Sequence, residues 1–379
     1  MSEVGPTNRF VLYTAVLPRY RRESMRILHE RLGSDWTVFA GDSHLDPTVR
    51  SDDDTTGWTR VTNRRWLAAH LLFQWGHWRE VLQADTAILD LNPRCVTAWL
   101  LLCSRRLLHR RTLLWGHLYP RTGPSSRTSP LRAFMRRRAD GCIVYSFAEA
   151  ADLAAVGGDE RAWVAPNAIY RQSDIFVDHD VRLATGERAE SELILYVGRL
   201  EPEKKPNLLL EAFALLAARD RDVELCFVGS GSLQATLEKR AAELGLSARV
   251  RFEGYVHDVA SLRAFYGKAR CAVSPGYCGL GLTQAMCFGV PMVIADGEPH
   301  APEIELRALG LVSFFAADSA DELAAALHAG SFSYSVTERE SVVRHMRAKY
   351  SAEAMADGLL GALRDANGTE LAELVGSSA

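Results

Sequence analysis

Two short segments carry side chains able to hold an anion. In Tyr196-Val-Gly-Arg-Leu-Glu-Pro-Glu-Lys204, an apolar run at 193–197 breaks at Gly198 and presents Arg199 and Lys204 on the loop that follows. In the second segment, Gly279, Leu280 and Gly281 open a run that closes at Gly289-Val-Pro291. Arginine grips phosphate oxygens in pairs, and lysine offers a compact charge. Glycines at a helix start let the first-turn N–H groups, which have no partner inside the helix, face an anion. The two segments make a place for a diphosphate, which points to a nucleotide-linked donor.

Other candidates are single residues. Leu113-Leu-Trp-Gly-His117 ends a strand and puts His117 on the loop beyond it, where packing and substrate contact are both open readings. Trp75-Gly-His77 is better explained by packing beside Trp78 at a helix end. Arg19 and Tyr20 follow the first strand and are candidates for acceptor binding. Val228-Gly-Ser-Gly231 lacks the full G-x-G-x-x-G spacing and a downstream ribose-binding acid. His300, Glu303 and Glu305 fit a polar loop at the donor site rather than a metal centre, because no spaced pair of histidines supports one. Asn167 after Pro166 reads as a structural turn, and the Asp52-Asp53-Asp54 run as a solvated loop. No serine-triad or catalytic-cysteine pattern stands out.

The elements that must position these residues alternate along the chain. Strands are expected at 10–16, 36–40, 87–91, 112–115, 141–145 and 163–165, with helices at 21–32, from 93 to 108 and at 131–138. Ser146-x-x-Glu149 is a capping box opening a further helix. Residues 173–189 are polar and aperiodic, a candidate linker. Beyond it, strands are expected at 193–197, 223–228, 250–252, 271–274, 292–295 and 311–315. Helices fall at 206–218, opened by Pro206, at 233–244, 258–269 and 282–288, and at 319–328 behind a Ser319-x-x-Glu322 box. Residues 335–363 also read as helices. This rhythm predicts an α/β fold with two parallel sheets covered by helices on both faces. Ligands of such sheets bind outside the carboxyl ends of strands, so two facing domains imply an interdomain cleft.

Composition narrows the class. A chain of 379 residues exceeds one typical core, and two domains are the default. No run of about 18 apolar residues suggests a spanning helix. Residues 1–9 carry Glu3 and no apolar core, unlike a secretory signal, and the seven cysteines form no C-x-x-C pair. A cytoplasmic enzyme is expected, with peripheral contact at the inner membrane face left open. The formal charge of −3 hides an asymmetry: residues 1–189 hold 26 arginines against 21 acids, the remainder 18 basic residues against 26 acids. Residues 91–139 contain eleven arginines and no acid. That stretch suits an anionic membrane or a phosphorylated acceptor, or else a solvated face balanced by acids nearby. No aromatic-basic interleaving argues for nucleic acid.

The segment from Leu193 to Leu306 resembles the nucleotide-binding domain of retaining glycosyltransferases of family 4, which have the GT-B architecture of two facing Rossmann-like domains. The likeness rests on Val197-Gly-Arg-Leu-x-x-x-Lys204, Val228-Gly-Ser-Gly231, Phe252-x-Gly-Tyr-Val256, the 279–291 segment and Pro302-Glu303. It implies a donor site of Gly198, Arg199, Lys204, Gly229, Gly279, Leu280, Gly281, Gln284 and Glu303, with the base held by backbone groups at Val256 and His257. It also implies an acceptor-binding domain at 1–180, a donor-binding domain at 190–345, and helices at 346–379 that return to the first domain. In similar transferases a histidine in the region of His117 contacts the donor sugar. One departure concerns the family's two glutamates eight positions apart, which fall here on Gly276 and Gln284. Gln284 can still hydrogen-bond a ribose, whereas Gly276 has no side chain to offer a sugar.

The expected activity is transfer of a hexose from a nucleotide-diphosphate sugar, with retention, to a glycan, lipid-linked or small natural-product acceptor. His117, Arg199 and Lys204 are its candidate catalytic residues, and neither metal nor cofactor is required. The alternative, motivated by Gly276 and Gln284, is a non-catalytic nucleotide-sugar-binding subunit. A nucleotide-sugar epimerase would need acid/base carboxylates that the first half does not supply.

Overall fold

The computed structural model describes residues 9–364, apart from 46–49, 53, 55, 68–69, 121–122, 124–125, 157–160, 190–191, 329–331 and 333. The chain divides into two compact units, residues 1–170 with 350–379 and residues 171–349.

The first unit contains β1 (Phe10–Thr14), α1 (Arg22–Leu32), β2 (Trp36–Ala40), β3 (Thr59–Arg60), β4 (Thr62–Trp66), β5 (Leu71–Trp75), α2 (Trp78–Gln83) and β6 (Thr86–Asp90). It continues with α3 (Val96–Leu107), β7 (Arg111–Trp115), α4 (Ser129–Arg136), β8 (Gly141–Val144), α5 (Phe147–Val156) and β9 (Ala162–Val164). Seven strands form a parallel sheet in the order β3-β2-β1-β6-β7-β8-β9, while β4 and β5 pair antiparallel as a separate hairpin. Strands β1 and β8 are buried at every residue, as strands covered on both faces must be. Alternate side chains feed two cores: Val11, Leu89 and Leu114 on one face, Leu12, Ile88 and Leu113 on the other. The hairpin leaves little trace in the pattern because β4 reads Thr-Asn-Arg-Arg-Trp and buries none of them.

The second unit contains α6 (Asp178–Ala189), β10 (Leu193–Val197), α7 (Pro206–Ala217), β11 (Glu224–Val228), α8 (Gln234–Glu243), β12 (Val250–Phe252) and α9 (Val259–Lys268). It closes with β13 (Cys271–Ser274), α10 (Leu280–Cys287), β14 (Met292–Asp296), β15 (Val312–Ala316), α11 (Ala320–His328) and α12 (Val336–Lys349). Its six strands form a second parallel sheet, ordered β12-β11-β10-β13-β14-β15. Pro206 opens α7, where its missing N–H costs nothing, and Gly289 at φ +60° ends α10.

One expectation is corrected. Residues 173–189, read as a linker, contain α6. Among its described side chains, Val181 and Ala184 are the buried apolar ones, too few to register as periodicity. Ion pairs from Arg182 to Glu340 on α12 (2.7 Å) and from Asp180 to Arg263 on α9 (3.5 Å) hold the helix down. The last helix, α13 (Ala352–Arg364), belongs to the first unit and buries Met355, Ala356 and Leu359 in its core. Gly358 permits that approach, since a Cβ there would overlap the Val164 carbonyl oxygen. Arg111 donates to the carbonyls of Ala362 and Leu363 at the end of this helix.

Candidate functional site

Strand order reverses between β10 and β13, the place where open α/β sheets bind ligands. The loops leaving these two strands are fastened to each other. After β10 the chain passes Gly198 and Arg199 and makes a 3-10 turn at Pro202–Lys204. After β13 it passes Gly276, Tyr277 and Cys278 into α10. The Tyr277 N–H donates to the Glu203 carbonyl (3.2 Å), and Lys204 Nζ donates to the Tyr277 carbonyl (2.8 Å). The same ammonium lies 4.7 Å from the centre of the Tyr277 ring, a cation–π contact. Beneath them Tyr196 donates its hydroxyl to the Arg199 carbonyl (2.7 Å), and burial raises its pKa so that it stays protonated. Arg199 keeps its guanidinium at the surface, 2.9 Å from Glu203 Oε1. An exposed pair of this spacing contributes only about 0.3–0.5 kcal/mol, so a doubly charged anion can displace it.

The other residues expected in this unit surround those loops. Gly229 has φ +146°, and a Cβ on it would overlap the Gly198 carbonyl oxygen, so glycine is required on both counts. Its N–H donates to the Gly254 carbonyl (2.7 Å), which ties in the loop bearing Val256 and His257. Val256 is half-buried, and the exposed His257 ring lies 5.8 Å from that of Tyr255. Gly279 is the N-cap of α10 and makes no side-chain cap hydrogen bond to the first turn, which includes Leu280 and Gly281. Gln284, one turn on, accepts from the Tyr266 hydroxyl (3.2 Å), and Glu303 is buried. The Cys278 thiol is pushed up to about 11 by burial and stays protonated at neutral pH.

Gly276 has a structural reason. A Cβ there would lie 2.6 Å from the Glu203 carbonyl oxygen and 3.0 Å from the Lys204 carbonyl carbon. The backbone of the lysine turn therefore occupies the space that a glutamate side chain needs. Two further residues shape the site: Tyr196, which supports Arg199, and His300, which was expected on a polar loop at the donor site. His300 accepts from the Cys278 N–H at Nδ1 (3.1 Å) while Nε2 meets the Ala295 carbonyl (2.8 Å), which places its proton on Nε2. Among the described residues no group of three His, Cys, Asp or Glu could hold a metal ion.

In the first unit, the order reverses between β1 and β6. His117 follows β7 with its ring exposed and edge-on to Tyr145, 4.7 Å between centroids. Desolvation by surrounding protein and the charges of Arg132 and Arg21 push it down to about 4, so it is neutral at pH 7. Because the ring keeps access to solvent, the two cations are the firmer part of that shift. Glu149 accepts from the N–H groups of Leu118 (2.7 Å) and Tyr145 (3.1 Å), while its own N–H is capped by Ser146 (3.0 Å). The capping box thus spends its carboxylate on holding the His117 loop. Arg19 is exposed and Tyr20 half-buried on the 3-10 turn Arg19–Arg21 after β1. The buried neighbour, Arg21, was not expected: it donates to Tyr145 Oη (2.7 Å) and Asn167 Oδ1 (3.3 Å) and lies 4.2 Å from the Trp115 ring centre. Asp90, at the end of β6, accepts from the Thr14 hydroxyl (2.7 Å) and the Ala15 N–H (2.6 Å), and burial raises its pKa.

The arginine-rich stretch at 91–139 is partly internal. Arg105 is buried and donates to the carbonyls of Ala84 (3.0 Å) and Arg111 (2.6 Å). Arg132 holds the Leu91 and His117 carbonyls, and Arg110 pairs with Asp85 (3.0 Å). With Arg111 on α13, four of the eleven arginines hold the fold together. Among the described residues no helix is long and apolar enough to cross a membrane.

Comparison with known proteins places these features. Residues 180–329 match the family of glycosyl transferases group 1. The D-inositol 3-phosphate glycosyltransferase of Mycolicibacterium gilvum is 34% identical over 182 residues, 41% of this chain and 39% of that protein. The alpha-D-kanosaminyltransferase of Streptomyces kanamyceticus is 29% identical over 52% of this chain and 53% of its own length. The matches thus span about half or less of these relatives. Among solved structures, Anabaena HepE in complex with UDP superposes with a TM-score of 0.66 at 16% identity, covering 94% of this chain and 99% of that one. The lipopolysaccharide outer core galactosyltransferase WaaB gives 0.62 at 15% identity, covering 93% and 98%. With two parallel Rossmann-like sheets and this likeness of structure, the chain has the GT-B fold, and its residues 180–329 match the family of glycosyl transferases group 1.

Proposed function

We propose that this protein transfers a hexose from a nucleotide-diphosphate sugar to a hydroxyl acceptor, with retention and without a metal. The observation that carries the reading is the fastening of the Arg199–Lys204 loop to the start of α10 through Tyr277. That arrangement puts a guanidinium, an ammonium and first-turn amides on one shelf. As the sugar–phosphate bond breaks, negative charge grows on the departing diphosphate. Arg199, Lys204 and the amides of Gly279, Leu280 and Gly281 would stabilise it, each such donor contributing about 3 kcal/mol. Lys204 is aimed in advance, since one of the three ammonium N–H groups is committed to the Tyr277 carbonyl.

Similar structures of HepE hold UDP and UDP-glucose, which favours a uridine-linked donor here. Val256 and His257 would offer backbone groups to the base, and Gln284 would meet the ribose. In the first unit, neutral His117 is assigned hydrogen bonding to a sugar hydroxyl, and Arg19 and Tyr20 to the acceptor. No carboxylate stands at 276, which favours departure and attack on the same face, assisted by the leaving phosphate. The non-catalytic reading is not favoured, because the relatives are transferases and the anion-holding residues are intact. The test is incubation with UDP-hexoses and a panel of hydroxyl acceptors, with the product's anomeric configuration read by NMR. An α product from an α-linked donor supports the proposal. An inverted linkage, or binding with no turnover on any acceptor, counts against it.

A further inference from the structure

The β4–β5 hairpin lies outside both parallel sheets and takes no part in the site above. Its inner face is packed: Leu72 and Gln74 are buried, and Leu72 bridges Cys95 at the head of α3. Side chains alternate along a strand, so Arg64, Trp66, Phe73 and Trp75 share the outer face. Trp66 is 58% exposed, Trp75 61%, and Leu67, in the turn, 71%. The rings form a ladder with centroid distances of 5.8 Å from Trp66 to Phe73, 6.2 Å from Phe73 to Trp75 and 5.0 Å from Trp75 to Trp78. Ring-to-ring packing holds these side chains in place without covering them.

The sequence of the hairpin is rich in arginine. Residues 55–79 hold four of the chain's eight tryptophans, four arginines and no acid. Arg64 is exposed, and no ion pair to an acid is found for it among the described residues, whereas Arg65, also exposed, lies on the other face opposite Leu72. Tryptophan favours the boundary between hydrocarbon and water, and arginine beside it is drawn to anionic headgroups. A neutral glycan would stack on the rings but leave Arg64 and the projecting Leu67 without a role.

We propose that the outer face of this hairpin docks on an anionic lipid bilayer, with Trp66, Leu67 and Trp75 among the headgroups and Arg64 on lipid phosphates. The test is cosedimentation of the full chain with vesicles of phosphatidylcholine alone and of phosphatidylcholine mixed with phosphatidylglycerol. Two variants accompany the wild type, Arg64→Gln, and Trp66→Ser with Leu67→Ser. All three side chains are exposed, and an unchanged thermal midpoint verifies folding. The wild type should bind the mixed vesicles with a blue shift of tryptophan emission. An arginine near such a surface contributes about fivefold, so the charge variant should lose about fivefold in partitioning. The second variant should lose most of the emission shift. Equal partitioning of the wild type into both vesicle types overturns the proposal, as do hairpin variants that bind like the wild type. It also falls if the Trp66→Ser variant loses binding to a soluble polysaccharide while its vesicle binding is unchanged, which would make the ladder a glycan platform.

Discussion

Replacing Gly276 by glutamate restores the residue that the family pattern carries at this position, and the structure predicts that it does harm. The Cβ alone would sit 2.6 Å from the Glu203 carbonyl oxygen and 3.0 Å from the Lys204 carbonyl carbon. Lys205 Cγ, at 3.1 Å, can swing aside, but the two backbone atoms cannot without moving the turn itself. That turn is fixed by the Tyr277 N–H to Glu203 bond and by Lys204 on the Tyr277 carbonyl. Overpacking of this kind costs about 1–3 kcal/mol. If the turn absorbs the strain by shifting, Arg199 and Lys204 lose their aim together, and nucleotide affinity should fall about tenfold or more, at 1.4 kcal/mol per decade. Gly276→Ala, which adds only the Cβ, should show most of the same loss. Calorimetric titration with UDP, alongside thermal unfolding, measures both parts. A Gly276→Glu protein that binds UDP or UDP-glucose as tightly as the wild type, at unchanged stability, would refute this reasoning.

Two further outcomes follow from particular contacts. Tyr196→Phe removes the hydroxyl that supports the Arg199 carbonyl, a bond worth about 1 kcal/mol, so UDP affinity should drop severalfold while the buried ring keeps the core intact; titration of the variant checks this. His117 titrates at about 4 in the folded chain against 6.5 when unfolded, so the unfolded state takes up the extra proton as pH falls through that window. Stability should therefore decline from about pH 6.5 down to 4, and His117→Asn should make that decline shallower in denaturant titrations at each pH. The depressed pKa of His345 acts with the same sign and stays in both proteins, so the slope should be reduced rather than abolished.

Much of the second sheet is legible in the chain because buried parallel strands are continuous apolar runs. Leu193–Val197 and Cys271–Ser274 are visible for that reason, and Gly198 and Pro275 mark where each run gives way to a loop. The glycine at 276 shows in the sequence only as a missing glutamate. Its steric meaning depends on a turn more than seventy residues earlier, which no local pattern reveals. Tyr196 is likewise hidden because it sits inside an apolar strand, whereas His300 is visible as a polar residue of the donor-site loop but its hold on backbone groups through both ring nitrogens is not. In the first unit, Arg19 and Tyr20 catch attention beside the first strand, yet the buried member of the trio is Arg21, selected by Trp115, Tyr145 and Asn167 from distant parts of the chain. The hairpin escapes notice because β4 buries none of its residues and is polar as far as Trp66, and α6 because only Val181 and Ala184 are buried among its described apolar side chains.

The central claim is that Arg199 and Lys204 hold a nucleotide diphosphate at the switch point of the second sheet. Calorimetric titration of UDP, GDP and dTDP into the wild type, Arg199→Ala and Lys204→Ala tests it most directly. One nucleotide, expected to be UDP, should bind the wild type, and each substitution should weaken it about tenfold or more, as loss of a charge-assisted contact to phosphate does. Binding that neither substitution weakens, or no binding by any of the three nucleotides, would contradict the account.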